Sequence, residues 1–219
     1  MSGSWENKIN VLGAILHVES TSIAWAFGFR NLLPYGMPFL PVTGMPYDMA
    51  RNHACMMALQ HGFSHLFFYD SDVIAPKDAV LRLLAHNKPI VSGLYYRRSP
   101  PHGLPVMIKN GTWFTDYVPG STVAVDMVGA GCLLLSRELL EKSPPQRPGH
   151  HWFDWRVNYK NMSIPDFPDD RNLSEDFSYN VWIKRQLGIT TYVDTSIECR
   201  HAGFSQAVRG NMLPLEVVS

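Results

Sequence analysis

Asp70-Ser71-Asp72 directly follows a continuous apolar and aromatic run, His65 to Tyr69, of the length of a buried strand. In open α/β sheets ligands sit beyond the carboxyl ends of the strands, so both acids would face a crevice rather than the core. Hard oxygen ligands at this spacing suit Mg²⁺ or Mn²⁺ shared with a diphosphate. Acidic residues also end strands simply as turn formers, and the pair alone leaves both readings open. A second acidic pair, Glu175-Asp176, stands just after Ser174 at the start of a helical pattern. The first turn of a helix favours negative charge, so this pair could either complement the dipole or supply a carboxylate that accepts a proton.

Other residues could complete such a site. Asp48 and Arg51 lie one helical turn apart, and Arg97-Arg98 follows a strand pattern, where it reads as phosphate-flanking or as a solvated basic turn. Gly129-Ala130-Gly131 lacks the spacing of a dinucleotide loop. It fits a bulge or a tight bend equally well. His201, late in the chain, reads by itself as a capping or packing residue. The run His150 to Trp155 packs two histidines and three aromatics into six positions, a composition suited to a closing loop or to ordinary core anchoring. Zinc is set aside, because no H-E-x-x-H occurs and Gly62 separates His61 from His65.

The elements that must position these residues alternate in the first half of the chain. The pattern predicts a strand over Ile9 to Val18 and a helix over Ser22 to Leu33. A Pro- and Gly-rich loop follows, with one short strand, and then a helix over Met49 to Gln60 capped by Asp48 and closed by Gly62. After the strand at His65 come a helix from Pro76 to about Ala85 and a strand from Pro89 to Tyr96. Such a βαβ rhythm implies a covered, mostly parallel sheet. The second half predicts strands over Thr122 to Met127 and Cys132 to Leu135 and a helix over Arg137 to Lys142 capped by Ser136. Beyond them lie a helix from Ser174 closed by Gly188 and a last strand over Ile189 to Val193. Residues 143–172 have no clean period and form a loop long enough to be functional. The tail 205–219 is weakly patterned.

Composition bounds the function classes. The chain has 219 residues, enough for one domain with a substantial core, and 46% hydrophobic against 17% charged residues is ordinary globular composition. Nineteen Lys plus Arg balance nineteen Asp plus Glu, so no overall charge draws the protein to nucleic acid or anionic lipid. Three cysteines without a C-x-x-C pair imply a reducing compartment. The polar N-terminus and the lack of a roughly 20-residue apolar stretch predict a cytoplasmic protein without signal peptide or membrane segment. The N-x-[ST] triplets at Asn110, Asn161 and Asn172 are then chance matches.

Taken in order, Asp48-x-x-Arg51-Asn52, HLFFYDSD, VDMVGAGCLLLSRELL, Ser174-Glu175-Asp176 and a late His201 resemble the nucleotide-sugar glycosyltransferases of the GT-A fold, close in pattern to family 2. The resemblance spans about residues 9–204 and implies a single α/β domain with a Rossmann-like, mostly parallel sheet covered by helices. It implies Asp72 as metal ligand, Asp70 as ligand to the metal or the donor ribose, and His201 as the third ligand of Mn²⁺ or Mg²⁺. Asp176 would be the base that deprotonates an acceptor hydroxyl, with inversion, and Glu175 would hold the acceptor. Asp48, Arg51, Gly129 and Gly131 would meet the nucleoside-diphosphate sugar. Glycan, protein, lipid and hydroxylated nucleobase remain open as acceptors. Rival readings of the same carboxylates are a haloacid-dehalogenase-type phosphatase, which would want Thr or Val at Ile74, and a sugar nucleotidyltransferase, which would want a basic Gly-rich loop at His17 to Ser20. A non-catalytic nucleotide-sugar-binding module is the third.

Overall fold

The computed structural model describes residues 9–17, 21–32, 34, 36–97, 103–143, 152–155, 173–201, 206–208 and 211–213. A seven-stranded sheet forms the centre. Its strands are β1 (Val11–His17), β2 (Phe39–Thr43), β3 (His65–Asp70), β5 (Ile90–Leu94), β8 (Thr122–Val125), β10 (Cys132–Ser136) and β11 (Thr191–Glu198), in the order β2-β1-β3-β10-β5-β11-β8. Small ribbons frame it: β4 (Val73–Ile74) pairs with β12 (Arg200–His201), and β13 (Gln206–Val208) with β14 (Asn211–Leu213). A further three-stranded sheet has the order β7-β6-β9, from β6 (Met107–Lys109), β7 (Thr112–Trp113) and β9 (Met127–Val128).

Strict alternation along β3 explains its burial on both faces. Leu66 and Phe68 join Leu12, Ala14, Leu133 and Leu135 under α2 (Tyr47–Gln60), α4 (Arg137–Lys142) and α5 (Glu175–Leu187). Phe67 and Tyr69 join Val11, Ile15 and Leu134 under α1 (Ile23–Leu32) and α3 (Ala79–Ala85). On α2 the stripe Ala50, Ala54 and Ala58 is buried, and these short side chains let the helix sit close to the sheet.

The expected mostly parallel sheet is corrected to a mixed one. The β2-β1, β1-β3 and β5-β11 pairings are parallel, while β3-β10, β10-β5 and β11-β8 are antiparallel. The reason lies in the bend Gly129-Ala130-Gly131. It delivers the chain to the carboxyl end of β3, with Cys132 opposite Tyr69, so β10 must run back toward Ser136 opposite His65. A parallel entry would have needed a crossover of a dozen or more residues.

Helix ends also moved. Pro46, not Asp48, is the residue before α2, and Asp48 lies in its first turn. Pro at that edge pre-sets φ without losing a needed donor. The helix expected from Pro76 begins at Ala79. Ser136 does cap α4 by accepting from the Leu139 N–H at 3.2 Å, and Gly188 closes α5 at φ 67°. The strand expected over Ile189 to Val193 starts at Thr191 and extends to Glu198.

Candidate active site

Asp70 is the last residue of β3, and Asp72 lies in the turn that follows. α1 roofs this turn: the Trp25 indole N–H donates to the Asp70 carbonyl at 3.0 Å, and Trp25 stacks on Tyr69 and Phe29. Below it, the Asp70 N–H donates to the Gly131 carbonyl at 3.1 Å. The neighbouring peptide reaches the second acidic pair, since the Ala130 N–H donates to Asp176 Oδ2 at 3.0 Å. Two adjacent residues thus hold the tip of β3 on one side and the start of α5 on the other.

Arg51, on α2, joins the same parts through its side chain. Its Nε donates to Glu175 Oε1 at 3.1 Å, and its Nη2 lies 3.4 Å from Asp70 Oδ1 and 3.5 Å from Oδ2. The guanidinium stands 5.2 Å from the centre of the Phe68 ring and is only 2% exposed, with Nη1 buried and unpartnered among the described residues. Burial opposes its charge, but Asp70, Glu175 and Asp176 outweigh burial and push its pKa up. Burial raises the Asp70 carboxyl above the ordinary range; Arg51 pulls it back, and Asp72 and Asp176 add to the rise. Burial and then Asp176 raise Glu175 to about 7, against the pull of Arg51. One cation therefore serves three carboxylates.

Asp176 is fixed from several sides. Its Oδ1 accepts from the Phe177 N–H at 2.8 Å and from the Ser174 hydroxyl, while Oδ2 takes the Ala130 N–H. Ser174 does stand at the N-terminal edge of α5, and its side chain bonds this carboxylate and not a backbone N–H of the helix. Deeper on α5, the buried Asn180 donates to the Val128 carbonyl at 3.2 Å and accepts from the Thr191 hydroxyl at 2.7 Å, locking the helix against β9 and β11.

The glycines of the bend answer to a tyrosine. A Cβ on Gly129 would overlap the Tyr95 hydroxyl, and one on Gly131 would lie 3.0 Å from Val73 Cγ2 and 3.4 Å from Asp70 Oδ2. The Tyr95 oxygen accepts the Gly131 N–H at 3.1 Å. Burial, with Asp176 and Asp70 adding to it, pushes the Tyr95 phenol well above its ordinary pKa. At Gly129 the Tyr95 hydroxyl fills the space a Cβ would need.

The remaining candidates are distributed as follows. Asp48 is half-buried in the first turn of α2. Glu175, expected to hold an acceptor, is 4% exposed and turned to Arg51. His201 lies in β12, whose backbone pairs it with Val73, next to Asp72 in the chain; its side chain is outside the described residues. Among the described residues no group of three or more His, Cys, Asp or Glu side chains could hold a metal ion, a set that excludes the imidazole of His201. Arg97 lies over the Trp113 ring at 4.7 Å, and Arg98 is outside the described residues, as are His150 and His151. Of the long loop, Phe153 is fully buried against Phe68 and Tyr179, and the Asn52 amide bonds its N–H at 3.0 Å and its carbonyl at 2.7 Å. Core anchoring describes Phe153; Trp155 is 48% exposed.

The sequence reading missed a hairpin. β6 and β7 are joined by Asn110 at φ 51° and Gly111 at φ 75°, two consecutive left-handed residues. Asn-Gly between short strand patterns is the signal that identifies such a turn. It carries Trp113, whose ring lies 6.2 Å from that of Phe177, the residue after Asp176.

Among the described residues no helix is long and apolar enough to cross a membrane. Neither family models nor curated proteins match the chain. Among solved structures, the chain is similar to A197 from STIV with a TM-score of 0.57 and 16% identity, covering 87% of this chain and 84% of that one. At that identity the likeness is one of fold: the two chains share an α/β architecture.

Proposed function

We propose that the protein is a GT-A-type glycosyltransferase that moves a sugar from a nucleoside-diphosphate sugar to an acceptor hydroxyl, with Mn²⁺ or Mg²⁺ and with inversion at the anomeric carbon. The observation that carries the reading is the meeting of Asp70 and Asp176 over one dipeptide, Ala130-Gly131, at the carboxyl end of β3. A donor site and a base from distant parts of the chain are what direct displacement requires.

The residues fit a divalent cation by their chemistry: two carboxylates one residue apart, with the strand of His201 paired beside them. Asp70, Asp72 and His201 would hold it, and when bound it supplies charge neutralisation on the departing diphosphate. Among the described residues the buried Nη1 of Arg51 has no partner, and a ligand phosphate or ribose would give it one. Asp176 takes the acceptor proton as the hydroxyl oxygen attacks. Its three hydrogen bonds fix its orientation, so the carboxylate needs no reordering before it acts.

Donor hydrolysis and transfer, assayed with and without chelator, test the proposal. Asp176→Asn is expected to lower transfer by about 100-fold or more while leaving nucleotide-sugar affinity in place. Asp72→Asn is expected to weaken Mn²⁺-dependent nucleotide binding, read directly by calorimetry. Turnover that ignores chelator would remove the metal. Metal-dependent binding without turnover in any variant would favour the non-catalytic module.

A further inference from the structure

The bend Gly129-Ala130-Gly131 presents three consecutive backbone N–H groups, and each goes to a different part of the fold. The Gly129 N–H donates to the Val106 carbonyl at 3.3 Å, the Ala130 N–H to Asp176 Oδ2 at 3.0 Å, and the Gly131 N–H to the Tyr95 hydroxyl oxygen at 3.1 Å. Tyr95 meets the bend a second time through its backbone. Its carbonyl accepts the Val106 N–H at 2.8 Å, and Val106 is the residue that accepts from Gly129. The Gly131 carbonyl in turn takes the Asp70 N–H at 3.1 Å. A single buried residue just past the end of β5 thus grips both ends of the bend that lies between Asp70 and Asp176.

We infer that Tyr95 is a positioning residue for the proposed reaction, acting through the bend to set the spacing of Asp70 and Asp176. The inference rests on the glycosyltransferase reading and deepens it. Adjacent peptide planes share a Cα and turn about only two soft dihedrals, so a bend that lost the Gly131 bond would also swing the Ala130 N–H relative to Asp176. The same movement would carry the Gly131 carbonyl away from Asp70. The residue type suits the task. The Tyr95 ring brings its hydroxyl into the space that Gly129 leaves open. Burial, reinforced by Asp176 and Asp70, holds the phenol in its neutral form, so the acceptor adds no third negative charge between the two acids. A carboxylate in that place would repel both. Misplacing a reacting group by as little as an ångström lowers the rate of a reaction that depends on orientation, so the hydroxyl acts on the chemistry without touching it.

The test uses the full chain as wild type, as Tyr95→Phe, which removes only the oxygen, and as Phe153→Leu, a core change away from the bend. Amide resonances in ¹⁵N–¹H NMR read the bend with no ligand present. In Tyr95→Phe those of Ala130 and Asp70 are expected to move by more than any of Leu133 to Leu135 in β10, and in Phe153→Leu to stay in place. In the transfer assay Tyr95→Phe should lower kcat by about tenfold or more and leave the KM for the donor within about twofold, while Phe153→Leu keeps its kcat. Incorporating 3-fluorotyrosine at position 95, which restores the oxygen, should recover both the resonances and kcat. Unmoved Ala130 and Asp70 resonances in Tyr95→Phe overturn the inference, and so does an unchanged kcat. A raised donor KM with kcat intact overturns it too, by making Tyr95 a ligand contact. An equal fall of kcat in Phe153→Leu would reduce the role to general stability and also overturns it. Absence of turnover in wild type would strike the glycosyltransferase reading and the catalytic part of this role with it, and the resonances would still decide whether Tyr95 sets the bend.

Discussion

Arg51 Nε and Glu175 Oε1 lie 3.1 Å apart, joining the second turn of α2 to the first residue of α5 across 124 positions of sequence. The same guanidinium reaches Asp70, so the tip of β3 and the start of α5 share one buried cation. Replacing it by an apolar side chain of similar length strands these carboxylates. Arg51→Met is expected to cost about 3–5 kcal/mol, the range for breaking a buried ion pair from one side. Urea unfolding at pH 8 measures it, and a loss below about 1 kcal/mol would show that the site does not depend on this charge.

The same pairing makes a prediction about pH. Glu175 has a pKa raised from 4.5 to about 7 in the folded chain, chiefly by burial. Between those values the folded state keeps a proton that the unfolded state releases, so stability falls as pH rises through this window and levels off on either side. The contribution is at most about 3 kcal/mol. Glu175→Gln carries its proton equivalent at every pH, and unfolding curves from pH 4 to 8 should show a flatter profile for it than for wild type.

Gly129 and Tyr95 should couple. Gly129→Ala drives a methyl group into the Tyr95 hydroxyl and is expected to destabilise by about 1–3 kcal/mol, the range for overpacking a filled site. Tyr95→Phe removes the obstructing oxygen and leaves the Gly131 N–H without its acceptor, at a cost of about 1–3 kcal/mol. In a double-mutant cycle by thermal melting, the pair should cost less than the two single changes added together. Strict additivity would mean that the bend relaxes independently of the ring.

Within the long loop, two aromatic residues should behave differently. Phe153→Ala empties a core position between Phe68 and Tyr179 and should cost about 3–5 kcal/mol. Trp155→Ala should stay within about 0.5 kcal/mol. If denaturant titrations reversed that order, the loop would be held by Trp155 instead.

Much of this architecture is legible in the chain because local signals agreed with burial. The apolar run at His65 and the Ser136 cap specify their elements without help from the rest of the fold, and Gly188 does the same for the end of α5. What sequence could not show is direction: nothing in Cys132 to Leu135 states that β10 lies antiparallel between β3 and β5, because buried strands of either polarity are equally apolar. The acidic pairs were visible, but their sharing of Arg51 was not. Periodicity ranks Arg51 as an ordinary α2 residue, and only the tertiary fold brings Asp70 and Glu175 to its guanidinium. The pairing of Glu175 with Arg51 was hidden for the same reason. The Trp113 hairpin was within reach of sequence reasoning, since Asn110-Gly111 announces it.

The ribbon of β4 and β12 sets an order of events in folding. It pairs Ile74 with Arg200 and Val73 with His201, a wider gap along the chain than any other described strand pairing. Closing so large a loop is entropically slow and is rewarded only once the sheet between its ends exists. The strand pairing next to Asp72 is therefore expected to form after the sheet, so that a nascent or partly unfolded chain with its sheet already assembled would still lack that two-residue clasp.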